Sequence, residues 1–183
     1  MRIIAGRFRR RKLLPPPTGV RPTLGRVRES IFHLIHSLGV PMEGAYVLDA
    51  FAGSGALGLE ALSQGAAHVT FLENNIQVVK TLKENIASLG VTSQCSLIVG
   101  DAAKPPRATH PVTLAFLDPP YDQVVEGICL TALRNQVWIQ PQTLVILETP
   151  AKRALSLSPE ALLIKQRRYG AALVSLLNLP DEA

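Results

Sequence analysis

The sequence predicts an α/β protein: a doubly wound, mainly parallel seven-stranded sheet with a short basic N-terminal extension. Three observations carry that expectation. From Tyr46 to Glu148, short apolar runs alternate with segments of helical period, the pattern of parallel strands joined by right-handed crossovers. The first run passes through a glycine-rich turn directly into a helix, as ligand-binding α/β sheets do. Four successive runs close on an acid, Asp49, Glu73, Asp101 and Asp118. Ligands of such sheets bind outside the carboxyl ends of the strands.

The elements follow in chain order. Met1–Ala5 and Lys12–Leu14 flank the Arg7–Lys12 cluster, and a small hairpin is expected there. Pro15-Pro16-Pro17-Thr18-Gly19 is a stiff connector, so residues 1–22 are assigned to the extension and 23–183 to the main domain. From Arg26 to Leu38, Val27, Ile31, Leu34, Ile35 and Leu38 recur at helical spacing, and Gly39 ends the helix. Arg28 is placed near the polar face with Glu29, and His33 and His36 at the surface. Strands are expected at Tyr46–Ala50, His68–Glu73, Ser96–Gly100, Thr113–Leu117 and Leu144–Glu148. Helices are expected at Ala56–Gln64, Ile76–Leu89 and Val124–Arg134. Leu162–Gln166 and Tyr169–Leu177 have no helix between them and read as a closing antiparallel hairpin turned near Arg168–Gly170.

Composition narrows the class. At 183 residues with 47% hydrophobic content, the chain can bury a substantial core. No apolar stretch approaches the roughly 20 residues needed to span a bilayer, and no signal peptide is recognisable. Cys95 and Cys129 form no CxxC pair, so small buried thiols in a reducing compartment are expected. The expectation is a soluble cytoplasmic protein without membrane association. The net charge of +5 is unevenly spread: residues 1–28 carry eight arginines, one lysine and no acid, whereas the other 155 carry ten basic and fourteen acidic side chains. Such an arm is the footprint of a nucleic-acid binder, and arginine's planar fork suits phosphate contacts. The alternative is a solvated tail.

Gly53, Gly55 and Gly58 satisfy G-x-G-x-x-G between the first strand and helix. Alone this fits NAD, or close packing at a tight turn. Asp49, closing the strand four residues before Gly53, would repel a pyrophosphate but can hold an ammonium, so a zwitterionic, phosphate-free cofactor fits better. S-adenosylmethionine is such a molecule. Glu73, 24 residues after Asp49, can take both hydroxyls of a ribose, and Asp101-Ala102 lies where an adenine amino group could be held.

Asp118-Pro119-Pro120-Tyr121 follows the apolar run Leu114–Leu117. Two prolines fix φ and push the preceding residues into extended backbone. Two acceptors, the Asp118 carboxylate and the Pro119 carbonyl, then precede an aromatic ring. An exocyclic amino group has two N–H donors to be held and sits on a π-face to be stacked upon. Asp118, Pro119 and Tyr121 are therefore the candidate catalytic residues.

The set Asp49-x-Phe51-Ala52-Gly53-Ser54-Gly55, Glu73 and Asp118-Pro119-Pro120-Tyr121 resembles class I S-adenosylmethionine-dependent methyltransferases that modify exocyclic amino groups. More narrowly, the chain is similar to the bacterial family that methylates guanine N2 in 16S ribosomal RNA. Met1-Arg2-Ile3-Ile4-Ala5-Gly6, Arg21-Pro22-Thr23, Arg26-Val27-Arg28-Glu29-Ser30-Ile31-Phe32, Gly55–Leu62 and Arg168-Tyr169-Gly170 carry that likeness. One departure is Val112-Thr113, where that family usually has an acid. The resemblance implies a Rossmann-like fold with S-adenosylmethionine held by Asp49, Phe51, Gly53, Gly55, Glu73, Asp101 and Ala102, and no metal. It implies 16S RNA or the small ribosomal subunit as partner; a monomer is expected. Arg7, Arg9, Arg10, Arg11, Lys12, Arg21, Arg26 and Arg28 are the candidate phosphate contacts. Rivals are a DNA adenine or cytosine amino-methyltransferase, a protein glutamine methyltransferase and a non-catalytic RNA-binding module. Asp118 in place of Asn, and the arginine arm, weigh against the glutamine methyltransferase.

Overall fold

A computed structural model describes residues 1–16, 25–121, 125–153, 155, 157 and 161–180. The elements are α1 (Gly25–Ser37), β1 (Tyr46–Asp49), α2 (Ala56–Ser63), β2 (His68–Glu73), α3 (Ile76–Leu89), β3 (Cys95–Val99), β4 (Leu114–Leu117), α4 (Glu126–Asn135), β5 (Leu144–Pro150), β6 (Leu162–Tyr169) and β7 (Ala172–Asn178). They build one seven-stranded sheet in the order β3-β2-β1-β4-β5-β7-β6. The first five strands in that order pair parallel, and β7 runs antiparallel to both β5 and β6. The expected fold and closing hairpin are present, and the chain turns between Tyr169 and Ala172 with Gly170 at φ 60°. The expected start of α4 at Val124 lies outside the described residues, as does the connector from Pro17 onward.

Alternating side chains separate two cores. Val47, Val69, Phe71, Phe116 and Ile146 face α1, α2 and α3, whereas Leu48, Leu72, Ala115, Leu117, Val145 and Leu147 face α4. β4 reads as an unbroken apolar run because both of its faces are covered. Phe32 of α1 packs on Phe116 with ring centroids 5.7 Å apart. Asn75 caps α3 by accepting from the N–H groups of Gln77 and Val78, at 3.0 and 3.4 Å, and Gly90 ends it in the left-handed region at φ 72°. Cys129 is buried, Cys95 is half-buried, and both are free thiols.

The basic N-terminal segment is no solvated tail. Ile3 N–H donates to Arg11 O and Leu13 N–H to Met1 O, each at 3.0 Å, around an antiparallel bridge between Arg2 and Lys12. Ile3 and Leu13 are buried in the core under α1. The loop of this hairpin docks on the last turn of α2: Arg7 N–H donates to Ser63 O at 2.7 Å and Phe8 N–H to Ser63 Oγ at 3.0 Å. Gly6 makes the approach possible, since a Cβ there would lie 1.8 Å from Ser63 O.

Arg28 corrects the sequence reading. It does not lie on the polar face of α1 but is buried, 2% exposed, against Glu60 of α2, which is 0% exposed. Positions 28, 31, 32 and 35 share one helical stripe, so Arg28 lies among Ile31, Phe32 and Ile35. Its charge is tolerated there because Glu60 faces it at 3.5 Å and Arg2 O accepts from Nη2 at 2.5 Å. Arg28 is thus removed from the candidate phosphate contacts.

Candidate active site

The carboxyl ends of β1, β2 and β4 form one rim, and the chain leaves β1 into the glycine turn. Gly53 and Gly55 sit at φ 54° and 85°, in the left-handed region that lets backbone bend this sharply. Their surroundings differ. A Cβ on Gly58 would come within 2.3 Å of the Phe71 ring, and one on Gly55 within 2.5 Å of Leu82 Cδ1. These two glycines allow α2 to lie directly on β2 and α3. A Cβ on Gly53 would meet nothing within 4 Å, so of the three glycines in this turn Gly53 alone faces open space.

Asp49 is 1% exposed and accepts the Gly58 N–H at 2.9 Å. Burial pushes its carboxyl up to about 7, against the pull of the Gly58 N–H, and the negative charges of Asp118 and Glu73 add to the rise. The two oxygens of Glu73 each accept one backbone N–H at 2.8 Å, from Gly53 and from Asn75. A carboxylate has about four acceptor sites, so this brace of the glycine turn leaves capacity for a ligand's hydroxyls. Asp101 is exposed and accepts from Ala103 N–H at 2.9 Å, while Ala102 is buried. Phe51 is half-buried beside this region. The rim is thus acidic and braced by backbone donors, a match for a cationic, hydroxyl-bearing ligand. Among the described residues no group of three or more His, Cys, Asp or Glu could hold a metal.

The tetrad begins one residue beyond the last pair of β4 with β5, Leu117 and Leu147. Asp118 is half-buried, Pro119 buried and Pro120 exposed. The Tyr121 hydroxyl donates to Glu148 Oε1 at 2.8 Å, and Arg153 Nη1 donates to Tyr121 O at 3.4 Å while Nη2 pairs with Glu126. Glu148, 4% exposed, was missed from sequence although it follows the same rule as its neighbours: it is an acid near the carboxyl end of a parallel strand. Glu126 and Arg153 carried no sequence signal.

The candidate phosphate contacts are not gathered at the rim. Arg7, Arg9, Arg10, Arg11 and Lys12 are exposed on the hairpin. Arg7 Nη2 donates to Gln94 Oε1 at 2.6 Å and Arg11 Nη2 to Ser88 O at 2.5 Å, so the cluster sits where α2 and α3 end. The rim lies where those helices begin, a helix length away, roughly 12–20 Å at 1.5 Å per residue. Arg26 is exposed on the first turn of α1; Arg21 lies outside the described residues. An open cavity of about 280 Å³ lined by Tyr46, His68, Ser96, His110 and Trp138 lies where the strands start and includes none of the rim acids.

Fold and rim together define a class I, Rossmann-like methyltransferase. The chain belongs to the family described as conserved hypothetical protein 95, whose model matches residues 1–178, and with it to the ribosomal RNA small subunit methyltransferase D proteins. The Haemophilus influenzae protein of that name is 34% identical over 175 residues, covering 93% of this chain and 89% of its own. The solved structure of the Escherichia coli protein yhhF matches at TM-score 0.83 and 30% identity, over 100% of this chain and 99% of its own. An RNA methyltransferase from Salinibacter ruber, in complex with S-adenosyl-L-homocysteine, shares the fold at TM-score 0.69 and 17% identity, over 89% of this chain and 96% of its own. No helix of the described residues is long and apolar enough to cross a membrane.

Proposed function

We propose that this methyltransferase modifies the exocyclic N2 amine of one guanine in 16S ribosomal RNA, with S-adenosylmethionine as donor, in an assembled or assembling small subunit. The observation that carries this reading is the placement of Asp118-Pro119-Pro120-Tyr121 on the same rim as Asp49 and the open face of Gly53. When bound, the cofactor supplies a methyl group activated by a sulfonium. Asp49, Glu73, Asp101, Phe51, Gly53, Gly55 and Ala102 are the residues to hold it. Acidic side chains favour its positive charge, and the Gly53 backbone lets it approach.

An amino group on a purine is a poor nucleophile because its lone pair is delocalised into the ring. Asp118 and the Pro119 carbonyl would each accept one of its N–H groups, which holds the nitrogen, favours pyramidal geometry and stabilises developing positive charge. Tyr121 would stack on the base, worth about 1–3 kcal/mol by analogy with other base–aromatic contacts. The surplus proton can leave to solvent after transfer. The base must be unstacked to reach this rim, which suits an exposed or loop nucleotide in RNA. The exposed cations Arg7, Arg9, Arg10, Arg11, Lys12 and Arg26, with Arg21, would neutralise phosphates and fix orientation. A monomer suffices for this scheme.

The deciding experiment offers the protein undermethylated small ribosomal subunits, free 16S RNA and duplex DNA with labelled cofactor, then maps modified nucleosides by mass. Label in N2-methylguanine of ribosomal RNA, abolished by Asp118→Ala, is the expected result. Preferential labelling of DNA, or undiminished transfer by Asp118→Ala, would sink the reading.

A further inference from the structure

Glu148 carries a role that the rim acids around it do not. Asp49, Glu73 and Asp101 each accept a backbone N–H. Glu148, 4% exposed at the β5 end, instead accepts the hydroxyl of the tetrad's aromatic ring, at 2.8 Å. A buried carboxylate is costly unless hydrogen-bonded, so the ring and the acid hold each other in place. The strand register suits this role, since the last paired residues of the two strands are Leu117 and Leu147, which sets Glu148 beside Asp118. Arg153 fixes the other end of the same tyrosine, donating to its carbonyl at 3.4 Å while paired to Glu126. Tyr121 is thus held at hydroxyl and backbone before any substrate arrives.

We propose that Glu148 is a positioning residue for methyl transfer: its bond to the Tyr121 hydroxyl sets the plane of the ring on which the target base stacks beside Asp118. The role rests on the function proposed above. A stacked base inherits the orientation of the ring beneath it, so a ring released to rotate presents the amine off-line, and misplacement of about 1 Å can cost on the order of 10²-fold in rate. The cofactor residues of β1 and β2 are untouched by such a change.

Four variants test it on undermethylated small ribosomal subunits: Glu148→Ala, Glu148→Gln, Tyr121→Phe and the double Glu148→Ala/Tyr121→Phe. Cofactor Kd by calorimetry and melting temperature are measured alongside. Glu148→Ala and Tyr121→Phe should each lower kcat by about 10- to 100-fold, with cofactor Kd changed less than about twofold. The double variant should be no slower than the slower single, because both changes remove one bond. Glu148→Gln, whose amide oxygen still accepts, should stay within about threefold of the parent. If Glu148→Ala does not fold, Tyr121→Phe and Glu148→Gln still decide. Multiplicative losses in the double variant, or a silent Tyr121→Phe beside a crippled Glu148 variant, would overturn the tether, the second result assigning the carboxylate to the substrate itself. A parent protein inert toward ribosomal particles would instead overturn the reading of function. A crystal structure of Glu148→Ala with the Tyr121 ring unmoved would overturn the tether even then.

Discussion

Arg28 and Glu60 face each other at 3.5 Å in the interior, joining α1 to α2. The pair also holds the N-terminal hairpin: Glu60 accepts the N–H groups of Ile4 and Ala5 at 2.8 Å each, and Arg28 donates to Arg2 O. Removing one member leaves the other charged and buried, a loss of about 3–5 kcal/mol. Arg28→Ala and Glu60→Ala should each lower unfolding free energy, measured by denaturant titration, by that amount. Arg28→Met combined with Glu60→Leu should recover part of it. Equal stability of Arg28→Ala and the parent would contradict the pairing.

The exposed cations should behave differently. Substituting Arg9 and Arg10 by Ala removes charge without opening the core. RNA affinity should then fall with little change in melting temperature, and the slope of log K against log salt should shrink by roughly one for each phosphate no longer neutralised. A filter-binding series between about 50 and 200 mM salt measures the slope. Because the hairpin loop docks at the far ends of α2 and α3, the effect should be larger for extended 16S fragments than for short oligonucleotides that fill only the rim. An unchanged slope on both would return the cluster to a solubilising role.

How far the sequence went follows from which forces act locally. Alternation of apolar runs with helical stripes places β1 to β5 and α1 to α4, most legibly where both faces are covered, as in β4 and β5. β7 and the exposed β6 were read instead from the missing helix between them. The glycine turn and the tetrad were legible because left-handed backbone and paired prolines demand particular residues. Arg28 was misplaced because its partner lies 32 positions away on another helix, and a stripe containing one arginine looks amphipathic until Glu60 is set beneath it. Docking of the hairpin on Ser63 was invisible for the same reason. Glu148 was within reach, since a rule applied to four strand ends applies to the fifth.

Asp49 gives the protein a pH dependence with a definite sign. Its folded value, about 7, lies above the ordinary 3.8 because burial disfavours the ion and Asp118 and Glu73 repel it. Between pH 3.8 and 7 the folded chain therefore holds a proton that the unfolded chain releases, so this group's contribution to stability declines as pH rises through that window, by about 4 kcal/mol in all. A cation at the rim favours the ionised form. Cofactor binding should release protons below pH 7 and strengthen as pH rises from 6 to 8, by no more than tenfold per pH step, then level off. Calorimetry in buffers of different ionisation enthalpy measures that release. The melting-temperature gain from saturating cofactor should be larger at pH 8 than at pH 6, and Asp49→Asn should flatten both dependences.

Gly53 and Gly58 separate packing from ligand access within one turn. On Gly58 a methyl would press into the Phe71 ring and Val69 Cγ1, at 2.3 and 2.8 Å. That ring is fully buried and has no room to retreat, so Gly58→Ala should cost about 1–3 kcal/mol through overpacking. On Gly53 the same methyl meets no protein atom within 4 Å and suffers only the left-handed φ of 54°, about 1 kcal/mol. Gly53→Ala should therefore melt close to the parent yet bind S-adenosylmethionine at least tenfold more weakly, because the methyl projects into the space kept open above the turn. Gly58→Ala, measured where it is folded, should bind nearly as the parent does. Unaltered cofactor affinity in Gly53→Ala would move the ligand off this face of the glycine turn.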